Sequence, residues 1–390
     1  MMKLVKGSNN MKIGILSMQR IINYGSFLQS YGLMQILKQF GEDVSFVDYT
    51  IEPCLINVNL KKKSFRSCLK KSNTFFMKKI LTFVKGSRFE NFEDFKRKYN
   101  DEYLPMIGVT EKRNITPKLD CLVIGSDEVF NCLQTNPDVG YSRELFGARS
   151  QAKKVISYAA SFGNTTINGL CKYNIVDEVK NNLKKFDRLS VRDENSSFII
   201  HKLLGILPEK NLDPVLIYDF KKETEIIQRK YIYDNYIILY AYSGRISKDE
   251  AIAIRNFAKN KNAKLIAIGG TFLFCDECIF PSPFETLCLF KEASYVVTDT
   301  FHGSVFSIKY NKQFCVYVRQ GEEKQYGNYQ KVYDLLKEFK LENRMVTSNQ
   351  NISDILDDRI NYAYVNDHLL VEKAKTMQYF ISSLESMIIS

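Results

Sequence analysis

The sequence predicts an α/β protein built from two doubly wound units in tandem, with a cleft between them. Strand-sized apolar runs alternate with helix-length stretches, the spacing of a parallel sheet covered by helices. A charged, weakly periodic stretch from Asp213 to Asn235 divides that series in two. The length of 390 residues fits two cores at roughly 100–200 residues each.

In the first unit, a short apolar run (Ile13, Ile15, Leu16) leads through the loop Gln19 to Ser26 into Phe27, Leu28, Tyr31, Met34 and Leu37 at helical spacing, ending at Gly41. A second strand, Val44 to Asp48, completes a βαβ unit. Further strands are expected at Asp120–Ile124, Lys154–Tyr158 and Arg188–Val191. After the divide come strand Tyr236–Tyr242, a helix from Ser247, and strand Lys264–Ile268. Ser247 and Glu250 form a capping box, with Ala251, Ile254 and Ala258 on one face behind them. Helix Phe284–Lys291, strand Tyr295–Thr298, helix Ser304–Tyr310 and strand Phe314–Val318 follow. The expected domains are 11–215, with a basic insertion at about 55–100, then 216–365, then a C-terminal helix in 366–390 that packs back on the first domain. In such an arrangement the cleft is lined by loops at the carboxyl ends of the strands.

Composition narrows the function classes. With 45% hydrophobic and 25% charged residues, 27 Phe, 23 Tyr and no Trp, the chain is an ordinary globular protein rather than a disordered, collagenous or disulfide-scaffold one. A net charge of +11 favours anionic partners: phosphorylated metabolites, acidic lipid headgroups or nucleic acid. Nine scattered Cys and a polar start, Met1 to Asn10, without an apolar core segment point to a reducing, cytoplasmic compartment, with the fold opening at Met11. No apolar run reaches the roughly 18 residues a spanning helix needs.

Of the three His, His201 and His368 sit in polar, helix-like contexts and read as surface residues. His302 follows a buried strand and opens a helix, in Thr298-Asp299-Thr300-Phe301-His302-Gly303-Ser304. Such a loop offers free N–H groups and the positive end of a helix dipole to an anion. A His there either binds a phosphate or carboxylate and donates a proton, or is a hydrogen-bonded structural residue at a strand end.

The stretch Val297 to Ser307, with Asn311-Lys312-Gln313-Phe314, resembles the signature of the polysaccharide pyruvyl transferase family. Five further stretches match in order: Asn23-Tyr24-Gly25 with Leu28 to Tyr31, Val123 to Asp127, Ser157 to Gly163, Ser190 to Asp193, and Leu212-Asp213-Pro214. The resemblance implies a fold similar to the two-domain GT-B glycosyltransferases. It also implies an enzyme that moves a pyruvyl group from phosphoenolpyruvate onto two hydroxyls of a sugar, as a ketal, with no metal or redox cofactor required. By the same resemblance, Arg192 is the anion-binding residue and His302 the general acid or phosphate contact. Arg192 offers the planar fork that suits phosphate and carboxylate; its structural alternative is an Arg tied to Asp193 or Asp213.

The other substrate-binding candidates are Asn23, Gly25, Ser26, Ser126, Asp127, Ser161, Thr300, Gly303 and Ser304. Gly permits close backbone approach, and Ser and Asp hold hydroxyls or accept their protons. Each of these also fits ordinary turn and cap chemistry. Lys312, Arg319 and Lys324 are further cations for a donor pocket. Glu128 and Phe130 stand where the family more commonly has Gln and Trp, a departure that bears on the acceptor sugar. Cys275-x-x-Cys278 lacks a second pair and reads as loop cysteines. From Lys61 to Phe89 ten basic residues interleave with apolar ones and no acid, the pattern of an element lying on an anionic membrane near a lipid-linked acceptor, or of a solvated helical insertion. No nucleic-acid motif accompanies it. Two rival readings remain: a GT-B-like glycosyltransferase using a nucleotide sugar, and a catalytically silent binding protein.

Overall fold

The computed structural model describes residues 11–41, 43–56, 90–319, 329–347 and 351–388, with side chains placed through 384. The basic stretch 61–89 and Lys324 lie outside the described residues.

Two six-stranded sheets form, every recorded pairing parallel. The first holds β1 (Lys12–Leu16), β2 (Asp43–Phe46), β3 (Lys118–Asp127), β4 (Gln151–Ala160), β5 (Ser190–Val191) and β6 (Glu209–Lys210) in the order β2-β1-β3-β4-β5-β6. The second holds β7 (Tyr236–Tyr240), β8 (Lys264–Ile268), β9 (Glu277–Ile279), β10 (Tyr295–Thr298), β11 (Gln313–Tyr317) and β12 (Met345–Val346) in the order β12-β11-β10-β7-β8-β9. Numbered within its own domain and read from β9, the second sheet runs 3-2-1-4-5-6, and the first begins 2-1-3-4. Strand order therefore reverses beside β1 and β3 in one domain and beside β7 and β10 in the other. Loops leaving the carboxyl ends at these two switch points are where open parallel sheets bind ligands.

Seven helices matter for the site: α1 (Tyr24–Leu37), α2 (Glu194–Leu204), α3 (Lys248–Asn260), α4 (Pro283–Glu292), α5 (Phe301–Lys309), α6 (Tyr329–Glu338) and α7 (Ala363–Ile388). The α3 capping box forms as its sequence predicts, Ser247 Oγ accepting from Glu250 N and Glu250 accepting from Ser247 N. Helix α1 is buried on nearly every face, which explains its scarcity of charge. Its inner face packs on the first sheet and its outer face meets α4 of the second domain. Phe27 and Tyr31 pack edge-on to Phe284 at ring distances of 5.9 and 4.9 Å, and Tyr24 Oη donates to the Pro281 carbonyl at 3.0 Å. One apolar core thus runs through both domains and fixes their mutual position.

Helix α7 begins against the second domain and ends on the first. Tyr379 Oη donates to the Ser157 carbonyl, Lys154 Nζ to the Ser383 carbonyl at 2.6 Å, and the Tyr158 and Phe380 rings lie 4.8 Å apart.

The strands differ from expectation mainly at their ends. β3 and β4 each run ten residues, because pairing continues past the core into stretches where Lys118, Asp120 and Lys153 reach water. β6, β9 and β12 are two or three residues long and lie at sheet edges, too short to show as apolar runs. Cys278 lies in β9 rather than in a loop, and it and Cys275 are buried, so burial raises the Cys275 thiol. Lys312 points away from the cleft and donates to the carbonyls of Lys291 and Ala293.

Candidate functional site

The site forms where the two switch points face each other. On the first domain, Asn23 caps α1: its side-chain oxygen accepts from Gly25 N at 2.7 Å and Ser26 N at 3.3 Å. Its amide nitrogen donates across the cleft to Tyr242 Oη, beyond the end of β7, at 3.1 Å. β3 ends at Asp127, whose φ of 74° turns the chain as a short polar side chain tolerates. Ser26 Oγ donates to Asp127 Oδ2 at 3.1 Å, joining the first helix turn to the end of β3.

Arg192 follows β5, and its guanidinium bridges two carboxylates, Asp127 at 3.2 Å and Asp213 at 3.1 Å. Its side chain is only 3% exposed. Phe301, from the second domain, lies over it, ring centre 4.4 Å from Cζ. Burial opposes the charge on both carboxyls. Arg192 and then His302 outweigh it at Asp127, and His302 and then Arg192 do so at Asp213, so both carboxyls stay below the ordinary Asp value. Arg192 has partners, then, but they are Asp127 and Asp213 rather than Asp193, which instead caps α2 by accepting from Ser196 N at 2.8 Å.

His302 enters from the second domain in the first turn of α5. Thr300 caps that helix by accepting from Gly303 N at 2.8 Å, and Ser304 Oγ bonds the Thr300 carbonyl at 3.2 Å. Gly303 is needed for this turn, since a Cβ there would lie 2.1 Å from Thr298 Oγ1. The imidazole rests on the backbone of Gly25, where a Cβ would be 2.1 Å from its Nδ1. Its Nε2 faces Asp213 Oδ2 at 3.5 Å, the outer limit of a hydrogen bond. Both His302 Nε2 and Arg192 Nε are buried without a hydrogen-bond partner among the described residues. Two buried nitrogens without a protein partner beside one carboxylate are groups that a polar ligand can meet.

The remaining candidates divide by location. Asn23, Gly25, Ser26, Asp127, Arg192, Thr300, Gly303 and His302 gather at the domain junction. Ser126 is buried, and its hydroxyl donates inward to Gln29 Oε1 at 2.7 Å. Ser161 is buried too, accepting from Gly163 N at 2.9 Å in its own turn. Arg319 sits past β11, where it pairs with Glu250 at 2.9 Å and donates to the Arg245 carbonyl at 3.1 Å.

Three contributors escaped the list of candidates. Asp213 stands in the Leu212-Asp213-Pro214 motif, so its signal was present; its role as the shared partner of Arg192 and His302 is tertiary. Lys331 on α6 pairs with Glu128 at 2.7 Å and lines the cleft beside Arg192. Burial opposes the Glu128 charge, but Lys331 keeps that carboxyl low. The periodic Val332, Leu335, Leu336 and Phe339 are the signal that marks this helix. Tyr242, the partner of Asn23, carries no sequence mark at all. His368, expected on the surface, is partly buried and bonded to Glu338 at 2.8 Å.

Comparison with known proteins supplies the family. Solved structures similar in fold include the UDP-GlcNAc 2-epimerase of Neisseria meningitidis bound to UDP-GlcNAc, at 10% identity and TM-score 0.47, with 97% of this chain and 100% of that one covered. The α,α-trehalose 6-phosphate synthase of Burkholderia multivorans is similar at 9% identity and TM-score 0.47, covering 97% and 99%. No curated protein matches. The family model for polysaccharide pyruvyl transferase matches residues 23–321, a span that contains Asn23, Asp127, Arg192, Asp213 and His302, and the chain belongs to that family.

Proposed function

We propose that the protein is a ketal pyruvyltransferase that moves the pyruvyl group of phosphoenolpyruvate onto two hydroxyls of one sugar in a lipid-linked precursor of a surface polysaccharide. The observation that carries this reading is the His302–Asp213–Arg192–Asp127 chain at the domain junction, with a buried, unpartnered donor on each side of Asp213. A donor bearing phosphate and carboxylate suits such donors, and a sugar suits the carboxylates.

The reaction balances without a further reactant. A proton adds to the methylene carbon of the enol, the first sugar hydroxyl bonds to the cationic C2, and the C2–O bond to phosphate breaks. The second hydroxyl bonds to C2, and of the two hydroxyl protons one restores the acid and one leaves with phosphate. His302 meets the donor, either giving the proton to the methylene carbon or holding the phosphate. Asp127, kept ionised by Arg192 and then His302, and Asp213, kept ionised by His302 and then Arg192, accept hydroxyl protons. Arg192 reaches an incoming anion through Nε, its fork being held by the two Asp. We place the enzyme on the cytoplasmic face of a membrane, drawn there by the basic stretch 61–89; among the described residues no helix is long and apolar enough to cross one.

The test is phosphate release from phosphoenolpyruvate with galactosides, mannosides and their lipid-linked forms, read together with mass spectrometry for an added pyruvate ketal. Release coupled to ketal formation is expected. Silence across the panel, with no thermal shift in phosphoenolpyruvate and a clear one in a nucleoside diphosphate, would replace this reading with a nucleotide-sugar transferase. Failure to pellet with anionic liposomes at low salt would remove the membrane element alone.

A further inference from the structure

The geometry points to a divalent-metal site, separate from the catalytic junction, made by Glu338 of α6 with His368 and Glu372 of α7. The imidazole nitrogen and one carboxylate oxygen from each Glu lie within 4.8 Å of one another, and His368 Nε2 is already 2.8 Å from Glu338 Oε1. That shorter separation matches neighbouring ligands on an ion bound at about 2.0–2.2 Å, and the longer ones need only a small closing movement. His368 and Glu372 are four residues apart on one helix, so they project from the same face and reach one ion without any change of backbone. One imidazole and two carboxylates form a donor set of borderline hardness, suited to zinc or manganese.

Two further features support a ligand here. The imidazole is held between the Tyr364 ring, stacked at 5.8 Å, and the Phe339 ring, edge-on at 5.5 Å, so its Nε2 is oriented before any ion binds. Glu338 and Glu372 also line a small open pocket that leads from this cluster towards Arg192 and Asp213, giving an ion a route in and space for water ligands. The cations now at the cluster can be released at little cost. Lys210 reaches Glu338 at 3.2 Å but keeps a second partner, Glu194, at 2.7 Å. Lys375 pairs with Glu372 at 3.3 Å and is 44% exposed, free to turn into solvent.

An ion held there would join α6 of the second domain to α7, the helix that ends on the first. The site takes no part in pyruvyl transfer, so this inference stands apart from the proposed reaction. The test uses full-length protein stripped with a chelator and desalted, then dialysed against manganese and, separately, zinc. Bound metal is counted by mass spectrometry and the melting temperature is recorded. One equivalent per chain is expected, with a rise in melting temperature. His368→Ala and Glu372→Gln should each weaken binding by about 100-fold or more, since losing a residue that only orients a ligand already costs about 10–100-fold. Cys275→Ser should leave binding unchanged, which separates this site from the Cys275 and Cys278 pair. No uptake by the wild type, or equal uptake by His368→Ala and the wild type when both melt normally, overturns the proposal. If His368→Ala unfolds, the size-conserving Glu372→Gln decides in its place.

Discussion

The loop after β5 and the loop after β10 are built alike and used differently. Each leaves the carboxyl end of a buried strand and caps the following helix with its own side chain, Asp193 in one and Thr300 in the other. Each also sends one basic residue to the junction, and Asp213 faces both. Arg192 arrives firmly held, its two terminal nitrogens paired with carboxylates and Phe301 over its face, with only Nε left without a partner among the described residues. His302 arrives loosely held, 12% exposed and 3.5 Å from its only charged partner among the described residues. The first domain thus supplies a fixed electrostatic frame, while the second supplies the group able to exchange a proton or meet an anion.

Substitutions can break that contrast in order of severity. His302→Ala should lower phosphate release by about 10³-fold, within the range of a lost acid-base group, with the melting temperature unchanged. Full activity would remove His302 from the reaction. Gly25→Ala places a methyl group 2.1 Å from His302 Nδ1, so it should displace the imidazole and cost about 100-fold in kcat/KM while Asp127 and Arg192 stay put. An unaffected Gly25→Ala enzyme would mean that the ring does not work from this position.

Asp213→Asn should cost activity about tenfold and, by leaving Arg192 with one carboxylate, roughly 3 kcal/mol of stability at neutral pH. The sign of its pH dependence follows from a carboxyl held below its ordinary value. Its stabilising contribution is complete above about pH 4, the value of a free Asp, and disappears as the pH falls through the lower native value. Melting curves of wild type and Asp213→Asn should therefore converge on acidification; a constant gap would show that the ion pair is not what the substitution removes.

The smallest effect is expected at Asp334 on α6. Burial raises this carboxyl to about 6, against hydrogen bonds from Glu194 N at 3.1 Å and Gln330 at 2.8 Å. A raised carboxyl destabilises the fold while ionised, fully above about pH 6, and the penalty vanishes below the ordinary Asp value near 4. Asp334→Asn keeps an acceptor for Glu194 N and should raise the melting temperature by about 1–3 °C at pH 7.5 but not at pH 4. The same rise at both pH values would assign the gain to something other than charge.

Much of this frame was legible in the sequence because it follows from periodicity and caps. The βαβ opening, the Ser247 capping box and strands β8 and β10 stand where the residue pattern places them. His302 could be picked out because its motif ends a strand and opens a helix, Arg192 through the family resemblance, and Gly25 and Asp127 because matching motifs sit at strand ends. What could not be read was pairing between distant residues. That Arg192 meets Asp127, that Glu128 meets Lys331 some 200 positions away, and that Asn23 reaches Tyr242 depend on how two domains dock, which no local pattern encodes. Ser126 and Ser161 show the converse: a polar residue beside a glycine turn looks the same in sequence whether its hydroxyl faces a cleft or a buried glutamine.

The return of α7 to the first domain has a mechanical consequence. Among the described residues the chain passes between the domains around residues 212–235 and again along α7, and the segment from Glu90 also meets the second domain, Glu90 N donating to the Cys278 carbonyl at 3.0 Å, so they are joined by more than one strap. A pair joined by a single strap can twist as well as open; a pair joined by two can swing only about the line through both. With one apolar core continuous through both domains, even that swing is opposed, and His302 is kept in one seat on Gly25.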